Sequence, residues 1–257
     1  MTTGGSVYSG EFRQGKRHGK GRIDWSDDAA PCESVFSLLA RVTTGDLPLA
    51  THYYEGEWLE DERQGLGTYA WGDGSTYEGN FRQGLREGRG VMRDKRAGTH
   101  YEGEFRADMA EGIGMMRLLR DNSTYCGTFR DGSPTGRGRF DWADGSWYEG
   151  EVRSGRPNGR GRKRWADSDV YEGDWLDGEL HGRGEYRHSS GETYAGEYVL
   201  GLKHGTGQYR WSSGEIFRGR FAHGRRHGVS HAVLSLKVPG WPKHAPLMLA
   251  VHSMYVS

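Results

Sequence analysis

One stretch near the start of the chain resembles a phosphate-binding loop. Gly10, Gly15 and Lys16 have the spacing Gly-x-x-x-x-Gly-Lys, in which backbone N–H groups cradle phosphates and the lysine reaches them. Such a loop needs Ser or Thr at the next residue to bind magnesium, and this chain has Arg17 there. Both glycines also recur along the chain in a repeated motif, which explains them without a ligand. The sequence therefore predicts no nucleotide site.

Four histidines occupy equivalent places in the same motif, and histidine is a common metal ligand. They are His18, His181, His204 and His227. Zinc ligands converge at ~2 Å from the metal, whereas equivalent residues of successive two-stranded repeats would be ~9.6 Å apart. We therefore expect these histidines to be turn residues and expect no metal site within one chain. A metal held between two chains is the alternative.

No other arrangement indicates catalysis or a cofactor. The sequence has no HExxH or CxxC motif, and carboxylate pairs such as Glu55 and Glu57 recur throughout, so none stands out as an acid and base. Lys and Arg number 35, as do Asp and Glu, without the basic excess typical of nucleic-acid binders. We expect a protein that is not an enzyme, has no cofactor and binds no nucleic acid.

The compartment can be inferred from cysteines and hydropathy. The only cysteines, Cys32 and Cys126, suggest no disulfide framework, which favours a reducing compartment. No apolar stretch approaches the ~20 residues that cross a bilayer, and the first residues do not look like a signal peptide. The expectation is a cytoplasmic protein that is not integral to a membrane.

The dominant feature of the chain is a motif that returns every 23 or 24 residues from Tyr54 onward. Its first residue, here called repeat position 1, is Tyr8, Tyr54, Tyr77, Tyr101, Tyr125, Tyr148, Tyr171, Tyr194 or Phe217. Positions 1, 3 and 5 are aromatic, glycine and usually aromatic, with polar residues between them. This alternation predicts a strand with one apolar face. Positions 12, 14, 16 and 18 read Gly, Gly, apolar and Trp, which predicts a second strand.

The repeats predict an all-β fold, an elongated single-layer antiparallel meander of nine hairpins. We expect a first repeat over 1–25, an irregular insert with a short helix over 26–53, eight contiguous repeats over 54–228, and a tail over 229–257 that caps the array or binds a partner. Glycine weakens a strand unless a neighbour needs the vacated space. We therefore expect rings of adjacent strands to lie across the glycines at positions 3 and 12.

The motif Tyr-x-Gly-x-aromatic-x-x-Gly-x-x-x-Gly-x-Gly resembles the MORN repeat (membrane occupation and recognition nexus), and residues 171–184 are a near-consensus copy. The resemblance covers about four-fifths of the chain. It implies an extended β ribbon that serves as a scaffold or interaction module in cytoskeletal, flagellar, junctional or membrane-associated assemblies. The chain departs from the motif at Asp61 and Asp108, where glycine is usual, at Val152, Phe217 and Ser230.

These features predict a scaffold or adaptor that binds partner proteins along its aromatic face, within a cytoskeletal assembly such as a cilium or flagellum. The residues of this face are Tyr54, Trp58, Tyr77, Phe81, Tyr101, Phe105, Tyr125, Phe129, Tyr171, Trp175, Tyr194 and Tyr198. The alternative is that these rings form the core of the array itself. A homodimer through open sheet edges or paired aromatic faces is a further expectation.

The alternative function is peripheral attachment to anionic membranes through basic turns. The candidate residues are Lys16, Arg17, Arg156, Lys203, Arg225 and Arg226. The balanced net charge makes this the less favoured function. On the face opposite the rings, Glu at positions 2 and 4 and Arg at positions 13, 15 and 17 predict cross-strand ion pairs on a solvated surface. A platform for anionic lipid or phosphate is the alternative there.

Overall fold

A computed structural model describes residues 5–25, 52–234 and 250–256, and all elements in these ranges are β-strands. The prediction of an all-β antiparallel meander is confirmed. The short helix predicted within 26–53 falls on residues outside the described ranges, while His52 and Tyr53 already belong to a strand. The nine predicted repeats correspond to nine β-hairpins.

The chain divides into two compact units, Met1–Ser133 and Pro134–Ser257. In the first unit each strand pairs antiparallel with the next. Its strands are β1 Ser6–Arg13, β2 Lys16–Trp25, β3 His52–Leu59, β4 Glu62–Ala70, β5 Thr76–Arg82, β6 Leu85–Asp94, β7 Thr99–Arg106, β8 Met109–Leu118 and β9 Thr124–Arg130.

The second unit continues the same pattern. Its strands are β10 Ser133–Asp141, β11 Trp147–Arg153, β12 Arg156–Arg164, β13 Val170–Leu176, β14 Glu179–Arg187, β15 Thr193–Val199, β16 Leu202–Arg210, β17 Ile216–Ala222, β18 Arg225–Leu234 and β19 Ala250–Val256. The last strand, β19, lies within the predicted tail and pairs with β18, so the tail supplies one more strand to this sheet.

Each hairpin turns through two residues that both have positive φ, the geometry of a type I′ turn. In the first hairpin these are Gln14 at 53° and Gly15 at 79°. The N–H of the second turn residue donates to the position-10 carbonyl of the preceding repeat, at 2.9–3.1 Å, so neighbouring turns within a unit are stitched together.

The two repeats with Asp in place of the turn glycine keep the same backbone, with φ of 73° at Asp61 and 68° at Asp108. In both cases, position 10 of the preceding repeat is an arginine. Arg17 donates its backbone N–H and its Nε to the Asp61 carboxylate at 2.9 and 3.1 Å. Arg86 makes the same pair of bonds to Asp108 at 2.9 and 3.0 Å. These bonds offset the cost of a left-handed conformation in a residue other than glycine.

The core of each repeat is the position-1 tyrosine, which lies over two glycines. Tyr54 covers Gly56 on its own strand and Gly67 on the paired strand, so a Cβ on Gly67 would come within 2.5–2.7 Å of the phenol ring. The hydroxyl donates to the backbone carbonyl of Glu57 at 2.9 Å. Tyr54 is fully buried as a result, although only one sheet forms the unit.

This arrangement corrects the sequence-based expectation in two respects. The covered glycines are those at positions 3 and 14, and one ring covers both. It belongs to the position-1 tyrosine, which is two residues before the position-3 glycine on the same strand and lies on the strand paired with that of the position-14 glycine. The position-12 glycines are not under a ring. They form a bulge with φ between 55° and 71°, as at Gly65 and Gly159, a region that favours glycine.

Rings of successive repeats interlock edge to face. Tyr77 contacts Phe81 of its own repeat at 5.1 Å between centroids and Phe105 of the next repeat at 5.0 Å. In the second unit Tyr171 contacts Trp175 and Tyr198 in the same way, at 5.2 and 5.3 Å. Such pairs contribute about 0.5–1.5 kcal/mol each beyond area burial. The zigzag of rings couples each repeat to its neighbour.

We expect Gly173→Val to destabilise the protein by about 1–3 kcal/mol, because its Cβ would meet Tyr171 and the Gly184 Cα at 2.5 Å. The matched control is Glu172→Val on the exposed side of the same strand, with an expected effect within about 0.5 kcal/mol. Urea unfolding of the two variants measures both values. Equal losses would contradict the role of the ring above the glycine.

We also expect the buried tyrosines to resist ionisation. Burial raises the pKa of Tyr77, Tyr101, Tyr125 and Tyr194 to about 12, against about 10 for a free phenol. Their contribution to stability should be complete below pH ~10, where the unfolded phenol ionises, and should be lost as the pH rises toward about 12. Tyrosinate absorbance recorded beside circular dichroism checks this. Titration of these phenols near pH 10 in the folded protein would contradict it.

Candidate partner-binding groove

The twelve aromatic residues expected to contact partners are buried, with 0–5% of their surface exposed. The structure brings them together within each unit, but as the ring zigzag that holds the repeats. In this conformation they offer no surface to a partner. These rings lie in the core of the array, as the alternative interpretation of the sequence stated. A candidate contact surface must therefore be sought among the exposed side chains.

The opposite face, here called the outer face, carries polar side chains with a structural role that the sequence did not reveal. The position-4 carboxylate bends over the bulge and accepts the backbone N–H of position 13. Asp174 accepts from Arg183 at 2.9 Å, and Glu197 accepts from Thr206 at 3.1 Å. Glu57 does the same for Leu66 at 3.3 Å. These carboxylates therefore accept a hydrogen bond from the backbone N–H beside the position-12 glycine, and they also make the outer face polar.

On the outer face of the first unit lies an open groove of about 950 Å³, here called the outer groove. Its floor is the backbone of paired glycines on β3–β8. One side is formed by Glu55, Thr68, Glu78, Val91, Glu102, Met115 and Cys126, and the other by Leu66, Asn80, Arg89, Glu104 and Ile113. The groove crosses seven strands.

The strand register explains how distant residues line one wall. Glu78 pairs with Val91, Val91 with Glu102, Glu102 with Met115, and Met115 with Cys126. Successive side chains of a strand point to opposite faces of the sheet. Each of these residues therefore points to the outer face, because its neighbour in the sequence points to the face that carries the rings. A row across the sheet is therefore built from one side chain per strand, about 4.8 Å apart.

The outer groove combines apolar side chains with negative charge. Leu66 and Ile113 expose 61% and 70% of their surface, and Met115 exposes 46%. Four glutamates line it against a single cation, Arg89. Glu55 is paired with Arg22 at 3.1 Å, whereas Glu78 and Glu102 have no ion pair within the described part of the chain. An apolar segment carrying basic residues would complement this surface.

The outer face of the second unit is different in kind. Two of its acids are paired with arginines, Glu149 with Arg139 at 3.6 Å and Asp174 with Arg160 at 3.4 Å. On β10, β12, β14 and β16, positions 13 and 15 carry charged or polar residues, where the first unit has Leu66, Ile113 and Met115. This contrast was visible in the sequence as apolar residues at exposed strand positions. Cross-strand ion pairs, as predicted, occur on this face.

The six basic residues considered for lipid contact are divided between the two units. Lys16 pairs with Glu60 at 2.7 Å, and Arg17 pairs with Asp61 and lies 4.2 Å from the Trp58 ring. Arg156 is exposed on the second unit. The remaining three, Lys203, Arg225 and Arg226, line one cleft of that unit. Two of the six are therefore paired with acids, and three line a single cleft.

Metal and membrane features can be stated for residues 5–25, 52–234 and 250–256. No group of three or more His, Cys, Asp and Glu side chains there is arranged to hold a metal ion. In the same ranges no helix is long and apolar enough to cross a membrane. The expectation that the four equivalent histidines are turn residues is wrong, because His18, His181, His204 and His227 lie within strands β2, β14, β16 and β18. The ring centroid of His204 is 6.1 Å from that of His223 in the adjoining turn.

Hairpins of this length, most of them with a tyrosine over a glycine pair, define a β-hairpin repeat protein. A model of the MORN repeat family matches 8–29, 54–76, 77–95, 101–118, 125–147, 148–170, 171–193 and 194–216. These segments make up more than half of the 257 residues, and the chain belongs to the MORN repeat family. The ninth hairpin, β17–β18, lies mostly outside the matched segments.

Among known proteins, Alsin of Rattus norvegicus is 30% identical over 94 residues, which are 34% of this chain and 6% of Alsin. Human (Homo sapiens) Alsin is 29% identical over the same length and shares. The matched region is thus a small part of these relatives' length.

Among solved structures, the TCP10 domain of Danio rerio CPAP in complex with a STIL peptide has a TM-score of 0.43 at 11% identity, covering 98% of this chain and 100% of that one. The TCP domain of Drosophila melanogaster SAS-4, in complex with a proline-rich motif of Ana2, has a TM-score of 0.38 at 11% identity, covering 62% and 85%.

Proposed function

We propose that this protein is a non-catalytic scaffold that binds partner proteins, and that the outer groove of the first unit is the contact surface. The observation that carries the proposal is that three strongly exposed apolar side chains, Leu66, Ile113 and Met115, line the two sides of one groove on an otherwise polar face. Apolar side chains exposed along a groove often mark an interaction site. The interlocked core gives such a surface a rigid support.

The form of the outer groove favours a polypeptide over a small molecule. It is open along its length and crosses seven strands, whereas pockets for small ligands enclose most of the ligand. A peptide laid along it could bury the apolar side chains while its basic residues meet Glu78 and Glu102. Placement within a cytoskeletal assembly, in a cilium or flagellum, is supported by the MORN repeat resemblance alone, whereas a cytoplasmic location is supported by the cysteine usage and hydropathy of the sequence. The homodimer stays a prediction.

We expect the double variant Leu66→Ser, Ile113→Ser to lose partner binding at least about tenfold, because truncating apolar anchors commonly removes more than 1.4 kcal/mol of binding energy. The matched control is Leu85→Ser, Met109→Ser at the hairpin turns, where both residues are exposed to a similar degree, 42% and 45%. Quantitative affinity capture from cells compares the variants, with thermal unfolding as the check on folding.

Two outcomes would count against this surface. Equal capture by wild type and by the groove variant would move the contact elsewhere on the protein. Loss of capture in the turn variant, with the groove variant intact, would place it at the turns. If the partner is basic, Glu78→Lys with Glu102→Lys should weaken capture as well, and more so at low salt.

Membrane attachment remains a second candidate because of one specific observation. The β15–β16 turn exposes three apolar side chains, Val199 at 41%, Leu200 at 65% and Leu202 at 48%. Arg225 is exposed at the corresponding place in the next turn. An apolar tip with basic residues beside it matches the way peripheral proteins enter the headgroup region of anionic membranes.

For this candidate we expect wild type to pellet with phosphatidylserine vesicles at physiological salt and Leu200→Asp to remain in the supernatant. Leu59→Asp, a comparably exposed leucine at a turn of the first unit, is the control and should pellet. Vesicle sedimentation measures all three. Absence of pelleting by the wild type removes the membrane function.

A further inference from the structure

A second concave surface lies in the last two hairpins of the second unit. This cleft, of about 400 Å³, is lined by Lys203, Tyr209, Trp211, Phe221, Gly224, Arg225 and Arg226. Three of its lining residues are cations and three are aromatic, and none is a carboxylate. We call it the cationic cleft. It shares no residue with the outer groove.

Aromatic rings hold two of the three cations in place. The Nζ of Lys203 lies 4.5 Å from the centre of the Tyr209 ring and 5.0 Å from that of Tyr194. The guanidinium of Arg226 lies 5.6 Å from Trp211 and 5.4 Å from Phe217. Ring faces stabilise cations without neutralising their charge. The rings therefore hold these two side chains in place.

The cation at position 10 of this repeat meets no carboxylate from the next turn. In the first and third repeats the position-10 arginine meets an aspartate of the next turn, Asp61 or Asp108. The residue corresponding to those aspartates beside Lys203 is Gly224. Lys203 has no ion pair within the described ranges. The charge of Glu192 acts on Lys203, and this carboxylate accepts a hydrogen bond from the Tyr209 hydroxyl at 2.8 Å.

An anion would stabilise the charge of Lys203. Burial lowers the pKa of its ammonium, which means that the charged form is poorly solvated at this position. An anion placed beside it would supply the missing opposite charge. Arg225 and Arg226 offer several N–H donors in the fork geometry that matches phosphate or carboxylate oxygens.

We propose that the cationic cleft binds a phosphate monoester. Three cations and no carboxylate match a dianion better than a singly charged carboxylate, and a phosphate monoester carries about −1.5 to −2 at neutral pH. The walls of Tyr209, Trp211 and Phe221 accept an aromatic or apolar group attached to the phosphate. This assignment is independent of partner binding in the outer groove.

The test is titration of the full chain with phenyl phosphate, followed by calorimetry at low and physiological salt. Wild type should bind saturably. Lys203→Met, which keeps most of the stem on the rings, and Arg225→Gln, at an exposed position, should each weaken binding about tenfold, since each removes a charge-assisted contact. Arg156→Gln removes an exposed arginine at the same repeat position as Arg225 and should leave binding unchanged.

No binding by the wild type, or equal binding by all four proteins, would overturn the proposal. Benzoate binding as tightly as phenyl phosphate would overturn it as well. If Lys203→Met unfolds, Arg225→Gln decides the result alone. Vesicles containing phosphatidic acid form the second arm: pelleting with the same order of variants assigns the phosphate to a lipid headgroup, and soluble binding without pelleting assigns it to a soluble monoester.

Discussion

The position-1 tyrosine, lying over a pair of glycines, is the contact on which the rest of the structure depends. A single sheet has no second layer to cover its apolar face, yet Tyr54, Tyr77, Tyr148 and Tyr171 are fully buried. The glycines at positions 3 and 14 let the tyrosine ring approach the backbone, and aromatic rings at position 5 of its own repeat and of the next repeat pack against its two sides. The tyrosine hydroxyl donates a hydrogen bond to the backbone carbonyl beside the bulge. Core, strand pairing and coupling between repeats thus share one contact.

The separation of the residues into a buried core and exposed positions determines where a functional surface can lie. The residues that repeat most faithfully are committed to the core, so the aromatic pattern identifies the fold and leaves little surface for partners. The positions that vary, 2, 4, 10, 13 and 15, carry the differences between the two units. Exposed Leu66 and Ile113 mark the first unit, and Lys203, which meets no carboxylate from the next turn, marks the second. A repeated scaffold with variable exposed positions can present different chemistry along its length.

Much of the fold could be predicted because the period of two and the recurring glycines are strong local signals. The strands, the nine hairpins and the family were all accessible from the sequence. The bulge at the position-12 glycine was not, because a glycine beneath a ring and a glycine with positive φ look alike in one sequence. The capping role of Asp174 and Glu197 was likewise hidden, since an acid in an ion pair and an acid bound to backbone occupy the same exposed position.

Some signals were present but easily missed. Asp replaces the turn glycine at Asp61 and Asp108, and at both places an arginine of the preceding repeat donates to its carboxylate. Arginine alone is an incomplete signal, because Arg63 precedes Gly84 and donates to its backbone carbonyl instead. The apolar residues of the outer groove stand at positions where a strand facing solvent should be polar. Distinguishing such residues from ordinary variation requires the register, which aligns Val91, Met115 and Cys126 into one wall.

The most direct test of the central contact is a double-mutant cycle on Tyr54 and Gly67, measured by urea unfolding. The three atoms nearest to a Cβ at Gly67 all belong to Tyr54. If the ring is the reason for the glycine, Gly67→Ala should be strongly destabilising in the wild type and nearly neutral in a Tyr54→Leu background, with an interaction energy of about 1–3 kcal/mol. Additive losses would show that Gly67 serves another purpose and would contradict the account.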